Sequence, residues 1–402
     1  MPIAQNQFVK RSEFIALMAM IFATTAFSID AMLPAIPQIA DEIAGGNRSH
    51  AAWVLTSFVA GMGLGTFFAG PLSDAFGRKP IVYAGAVVYI VSAAAAWATS
   101  SLEWILVARF IQGIGASGPR VVSIAIVRDL FQGREMARIM SIAMTIFILV
   151  PAIAPAMGAL IINSYGWRSI FAAFILFSLV STFWISMRLN EPLAVNDRRP
   201  IRMHLMIDAV KQMLTHKTVR ISILMQTIML AMLFTTLTMI QPIYDQIYGR
   251  AESFPFWFGM VALFSGTSSL LNAFIVTRFG MHKVITWAIT FQVIIGGMVL
   301  VTMSTVASDG FYLFIFWQFC LFAQAGLTMG NLNAIAMEPM GHIAGMAASV
   351  IGAISTIAAA MIASPASLLF TDTARPLIAI VLVLGIFAVL LMRRMNQIER
   401  AI

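Results

Sequence analysis

Residues 51–100 read AAWVLTSFVAGMGLGTFFAGPLSDAFGRKPIVYAGAVVYIVSAAAAWATS. Two stretches, 51–71 and 81–100, carry no charge, and the link between them holds Asp74, Arg78 and Lys79. A run of about 20 apolar residues spans the hydrocarbon core of a bilayer, about 30 Å, when coiled as an α-helix. The apolar residues follow neither a helical nor a strand period, so neither run is the half-buried face of a water-soluble domain. The segment reads as two membrane-crossing helices joined by a short charged turn.

The same pattern extends in both directions. Charge becomes sparse over 14–37, 104–127, 137–162 and 168–188, and again over 219–247, 255–278, 284–306, 311–336, 344–370 and 376–392, giving twelve spans with the first two. Composition agrees: 60% of the 402 residues are hydrophobic and 10% charged, against about a quarter charged in soluble domains. A water-soluble fold is excluded, and an all-α membrane protein is expected. The run after Lys10 and Arg11 is longer than a signal-peptide core and contains Thr24, Thr25 and Asp30, so it reads as a retained first span. Cys320, the one cysteine, cannot form an internal disulfide or a thiolate metal cluster.

Basic residues in short loops mark the cytoplasmic side of a membrane protein. Of the 25 lysines and arginines, nineteen fall on one side, including Lys10, Arg78, Arg128, Arg188 and Arg393, while Arg48, Arg168, Arg250 and Arg375 fall on the other. Both termini are therefore expected in the cytoplasm. The net charge of +8 follows from this asymmetry and calls for no nucleic acid, because the basic residues are scattered among loops. A polar stretch at 189–218 separates an N-terminal bundle of six spans (1–188) from a C-terminal one (219–402). The halves look like copies: Thr277-Arg-Phe-Gly280-Met-His-Lys283 is a worn counterpart of Asp74-Ala-Phe-Gly77-Arg78-Lys79, and Glu338 ends the tenth span as Asp129 ends the fourth. Two parallel repeats of this kind place a substrate site near the bilayer midplane at their interface.

Gly70-Pro-Leu-Ser-Asp74-Ala-Phe-Gly77-Arg78-Lys79 resembles the signature loop of the major facilitator superfamily. Arg109-Phe-Ile-Gln-Gly113-Ile-Gly115-Ala in the fourth span resembles the motif of its proton-coupled members. Pro151-Ala-Ile-Ala-Pro155-Ala-Met-Gly158 in the fifth resembles the antiporter motif, with Ala154 and Ala159 where the family carries glycine. With Asp30-Ala-Met-Leu-Pro34-Ala-Ile-Pro37 and Glu338-Pro-Met-Gly341-His-Ile-Ala-Gly345, the chain is similar to twelve-span drug:proton antiporters of the Bcr/CflA type. The resemblance implies two pseudo-symmetric six-helix bundles, close packing of the fifth span on the eighth, and a protein working as a single chain in a bacterial inner membrane.

Three ionisable residues lie at bilayer depth, where charge is costly and marks function by default: Asp30, Arg109 and Arg120. Asp30 falls about 24 Å from the cytoplasmic edge and Arg109 about 7.5 Å from the outer one at about 1.5 Å per residue, so their depths agree. The resemblance makes the first and fourth spans neighbours, and an Asp30 to Arg109 pairing, direct or through water, is expected to couple protons to movement. A static pair that fixes two helices is the alternative. Burial and an adjacent guanidinium act in opposite directions on a carboxyl's proton affinity, which suits a group that loads and unloads. Arg120 follows Arg109 by three turns plus about 20°, on the same helix face and about 16.5 Å on, next to Pro119, which is expected to loosen the helix. Either it binds an anionic group of a substrate or a lipid phosphate, or backbone carbonyls and amide side chains satisfy it.

The resemblance assigns Gly70, Asp74, Gly77, Arg78 and Asp129 to a cytoplasmic gate, with Arg78 bridging to the acid that ends the fourth span. Candidates for contact with substrate, beside Asp30 and Arg120, are Thr24, Phe27, Met144, Phe147, Thr235, Gln241, Gln318, Gln324 and Asn331. His50, His204, His216, His282 and His342 are dispersed in loops or at their edges, without an acidic partner in a span, so neither an enzyme nor a metal site is expected. No Gly-x-x-x-x-Gly-Lys-Ser/Thr sequence occurs, so an ion gradient rather than ATP or any cofactor is expected to supply the energy. The expected function is proton-coupled export of lipophilic or amphiphilic small molecules, the chemistry of multidrug and antibiotic resistance. A transporter of a defined anionic metabolite, such as a siderophore-like carboxylate anchored by Arg120, is the second reading.

Overall fold

The computed structural model describes residues 10–198, 200–201, 203–305 and 310–400, with the side chains at 134, 137, 141, 144–148, 203, 205, 304, 305, 342, 344, 399 and 400 outside the described set. Of the residues singled out above, Met144, Phe147 and His342 have side chains outside the described residues.

Among the described residues the chain is helical and without strands. The first half carries α1 (Arg11–Asp30), a tight 3-10 turn at Leu33–Ala35, α2 (Ile36–Ile43), α3 (Arg48–Phe76), α4 (Arg78–Ala98), α5 (Leu102–Leu130), α6 (Gly133–Tyr165) and α7 (Ser169–Arg188). The second carries α8 (Met203–Thr215), α9 (Lys217–Pro242) running into a π turn at Ile243–Ile247, α10 (Phe254–Phe279), α11 (Met281–Thr305), α12 (Phe311–Met337), a 3-10 stretch at Glu338–Ile343, α13 (Ala344–Ser367) and α14 (Arg375–Arg400). Eleven segments are long and apolar enough to cross a membrane among the described residues, α1 and α2 counting as one, and α6 adds a shorter apolar run at Leu149–Tyr165.

Three local expectations need correction. The first span, read as continuous over 14–37, breaks after Asp30. Pro34 has no N–H to give the Asp30 carbonyl and Pro37 none to give that of Leu33, so two rungs of the α-helical ladder are missing within one turn. The stretch at 189–218, read as a plain linker, contains α8, whose Met206, Ala209 and Met213 are buried at the i, i+3, i+7 spacing of one helix face. Pro119 does not interrupt α5, which stays helical from Leu102 to Leu130.

The chain forms two compact units. One runs to Gly45 and resumes over Ser57–His204; the other comprises Gly46–Thr56 and Leu205–Ile402. In the first, α1 packs against α5, α6 and α7, and α4 lies along α5 and α7. Helices in lipid gain little from burying apolar surface against each other and rely on close van der Waals contact through small residues. That contact is visible at the α4–α5 crossing, where a Cβ on Gly115 would come within 2.6 Å of the Tyr89 amide nitrogen and 2.7 Å of the Gly85 carbonyl. It recurs at the α3–α5 crossing, where a Cβ on Gly61 or Gly113 would fall on the carbonyl of Phe110 or Phe58. Val91, Trp104, Leu160 and Phe183 remain exposed, as lipid-facing side chains must.

In the second unit α9 packs against α12, α13 and α14, while α12 also packs on α10 and α11. An aromatic cluster of Tyr244, Phe254, Phe311 and Phe314 ties the end of α9 to α10 and α12. The start of α3 belongs here because the Trp53 indole donates to the Ser364 carbonyl at 3.1 Å, Ser49 to the Ser367 carbonyl at 2.7 Å and Ser364 to Thr56 at 2.8 Å. Each unit has a turn glycine with positive φ, Gly77 at 105° and Gly280 at 82°. These are the matching positions of the two similar loops, and only glycine adopts that backbone without strain.

Candidate functional site

Arg109 is wholly buried in the first unit. The close α3–α5 contact brings the Phe58 ring over its guanidinium at 4.3 Å, with Phe174 of α7 at 5.7 Å. Its Nη2 donates to the Ser28 carbonyl at 2.9 Å and its Nη1 to Gln112 Oε1 at 2.8 Å. The Ser28 hydroxyl in turn bonds to the Tyr89 hydroxyl and donates to the Thr24 carbonyl at 2.7 Å. Sequence reasoning found Arg109 but missed Ser28, Tyr89 and Gln112, since a serine, a tyrosine and a glutamine in apolar runs look like ordinary packing.

Asp30 is also buried, yet among the described residues its carboxyl forms no ion pair with Arg109 and no hydrogen bond. Of the expected pairing, direct or through water, the direct form is absent among the described residues. Its cause is helical register: Ser28, which faces α4 and α5, stands about 200° around the helix from Asp30. Asp30 occupies the last turn of α1, beside the break, and the next residue, Ala31, meets α6 so closely that a Cβ on Gly158 would overlap its carbonyl. The antiporter-motif glycine therefore packs on the helix that carries Asp30. Pro151 and Pro155 lie within a continuous α6.

Other candidates in this unit divide. Thr24 is back-bonded to the Met20 carbonyl at 3.0 Å and, with Thr25, Tyr89, Ser178 and Ser181, lines a cavity of about 10 Å³, about the space one water needs. Phe27 stands among aromatic neighbours, stacked on Phe177 at 5.5 Å and edge-on to Phe174 at 5.6 Å, as part of the α1–α7 packing. Arg120 reaches α3, where its Nη1 lies 3.6 Å from the Met62 sulfur. Met144 and Phe147 sit in α6 with side chains outside the described residues.

The charged turn is tightly organised. Arg78 donates to Asp129 Oδ2 at 2.7 Å, to Asp74 Oδ1 at 2.5 Å and to the Ser73 hydroxyl at 2.7 Å. Ser73 itself donates to the Gly70 carbonyl at 2.8 Å. Glu191, from the stretch after α7, accepts from the backbone N–H of Arg78 at 2.8 Å and of Lys79 at 2.9 Å, which closes the N-terminus of α4. Nothing local in the sequence pointed to Glu191, because it lies more than a hundred residues away from the helix it caps. The corresponding Glu338 of the second unit has no such ion pair among the described residues.

The second unit supplies amides instead of charges. Tyr244 donates to Gln318 Oε1 at 2.9 Å, Gln324 Nε2 lies 2.8 Å from the Met229 sulfur, and Asn331 and Asn272 exchange amide hydrogen bonds at 2.9 and 3.3 Å. Among the described residues Thr235 Oγ1, Gln241 Oε1, Gln318 Nε2 and Gln324 Oε1 are buried without a partner. Such orphans are rare in folded proteins and are costly unless water or a ligand satisfies them. Among the described residues no group of three or more His, Cys, Asp or Glu could hold a metal ion.

The model of the Major Facilitator Superfamily matches residues 16–364. A bicyclomycin resistance protein homolog of Haemophilus influenzae is 28% identical over 72% of this chain and 73% of its own. The multidrug resistance protein MdtL of Klebsiella pneumoniae is 36% identical over 36% of each chain. A solved D-xylose–proton symporter shares the fold, with a TM-score of 0.74 and 16% identity over 94% of this chain and 97% of that one. Signature turn, helical architecture and family match converge, and the chain belongs to the major facilitator superfamily, a membrane transporter and not an enzyme.

Proposed function

We propose that the protein exports lipophilic or amphiphilic small molecules from the cytoplasm across the inner membrane in exchange for protons. The observation that carries the reading is Asp30: a carboxyl buried at a break in the first span, with no ion-pair partner among the described residues. Such a carboxyl is uncharged when protonated and strongly disfavoured when ionised and unsolvated, so it exchanges a proton whenever access changes side. Arg109, locked by Ser28 and Gln112 on the opposite side of α1, sets the local positive field without neutralising Asp30. A substrate that favours ionised Asp30 then displaces the proton. The resistance proteins among the relatives support drugs as the substrate class. The amide atoms of the second unit that have no partner among the described residues suit neutral, hydrogen-bonding parts of such compounds.

Asp74, Arg78 and Asp129 act as a cytoplasmic latch in this reading, with Gly70 and Gly77 shaping the turn. An imposed pH gradient across everted membrane vesicles tests the proposal: it is expected to drive uptake of a lipophilic drug by the wild type, and Asp30→Asn is expected to remove at least nine-tenths of it. Undiminished gradient-driven uptake by Asp30→Asn would refute the coupling role.

A further inference from the structure

The arginines in and beside the spans of the first unit differ in what satisfies them. Arg78 has two carboxylates and a serine; Arg109 has a carbonyl, an amide and two aromatic faces. Arg120, partly buried in the middle of α5, has one hydrogen-bonding contact among the described residues, the thioether of Met62. A guanidinium presents five N–H donors in a planar fork, and a thioether sulfur is a weak acceptor. Neither of the satisfying arrangements open to it in the sequence, carbonyls or amide side chains, is present among the described residues. Among the described residues Asp30 does not reach it, and Asp74 and Asp129 are held by Arg78.

Direction matters as well. Side chains on a helix tilt toward its N-terminus, and the contact with Met62, one turn along α3 from the Phe58 that covers Arg109, shows Arg120 reaching back toward Arg109. At bilayer depth, among the described residues, this unit thus holds two guanidiniums, those of Arg109 and Arg120, and the Asp30 carboxyl, which pairs with neither. Its formal balance is positive whichever state Asp30 takes.

We propose that Arg120 is an oxyanion subsite that receives the carboxylate or phosphate of an amphiphilic cargo in a two-pronged hydrogen bond. This deepens the export reading and rests on it: cargo carrying an anionic or zwitterionic head would dock that head on Arg120. A free fork and a planar oxyanion match in geometry, and the low polarity around them makes the charge-assisted bonds strong. A phospholipid phosphate shares this chemistry, and the experiment separates the two sources.

The full chain is placed in nanodiscs of phosphatidylcholine, and equilibrium binding is measured for 1-naphthoate and for its neutral isostere 1-naphthamide. The wild type is expected to bind naphthoate, with R120Q at least tenfold weaker, R120K intermediate because it keeps charge but loses the fork, and naphthamide within twofold throughout. If R120Q loses both probes, R120K decides: selective loss of naphthoate supports the subsite, and unchanged naphthoate binding overturns it. Equal naphthoate binding by R120Q, or none by the wild type, also overturns it. So does a fall of wild-type naphthoate affinity to the R120Q level when phosphatidylglycerol is added, which would assign Arg120 to lipid. If Arg120-dependent binding holds while a pH gradient drives no transport, the subsite stands and the export reading fails.

Discussion

Gly158 has no room for a side chain because the Ala31 backbone occupies the place of its Cβ. Gly158→Val is expected to destabilise the protein by about 1–3 kcal/mol, the usual effect of overpacking, and to disturb Asp30 one residue from the contact. Thermal unfolding of the detergent-purified protein is the check; Gly297→Ala, where a Cβ meets nothing within 4 Å, should leave the midpoint unchanged. The three charges at bilayer depth were legible in the sequence because they interrupt otherwise uncharged runs. Their partners were not. A change of two residues turns a side chain about 200° around a helix, and equal depth for Asp30 and Arg109 says nothing about which way each one points. Tyr89 and Ser28 were hidden for a related reason: a hydroxyl in a membrane helix can bond to its own backbone, as Ser92 does to Val88, and only the fold tells which hydroxyl reaches another helix.

At the scale of elements, α4 begins at a glycine with no side-chain cap of its own, and Glu191 accepts from its first two N–H groups. Glu191→Ala should therefore cost about 1–2 kcal/mol, the range for losing a helix cap, read as a lower unfolding midpoint, with Glu191→Gln falling between. Most helix ends were readable to within a few residues from the loss and return of charge, but α3 runs five residues past the apolar run read for it and α14 eight, because a helix continues into its charged flank. The break after Asp30 had its signals in Pro34 and Pro37, but hydrophobicity continues through both and masks it. For α8 the apolar spacing was present yet diluted by Asp208 and Lys211. Met213→Asp on its buried face is expected to expose 203–215 to limited proteolysis, whereas Ile207→Asp on the exposed face is not.

For the whole molecule, the all-helical membrane character and the family were legible, because bilayer thickness and the cost of buried charge leave few alternatives. The distribution of basic residues predicts both termini on the cytoplasmic side. Green fluorescent protein fused after Ile402 is expected to fluoresce in the cell, and alkaline phosphatase at the same position to be inactive. How the bundles satisfy their interiors was less legible: which buried polar groups find a partner among the described residues emerges only once the helices are packed. The central claim is that the Asp30 carboxyl carries the exchanged proton. In proteoliposomes containing a pH-sensitive dye, a drug gradient should drive proton movement through the wild type. Asp30→Asn should still exchange drug for drug while moving no protons. Proton flux in step with drug in Asp30→Asn would contradict the account.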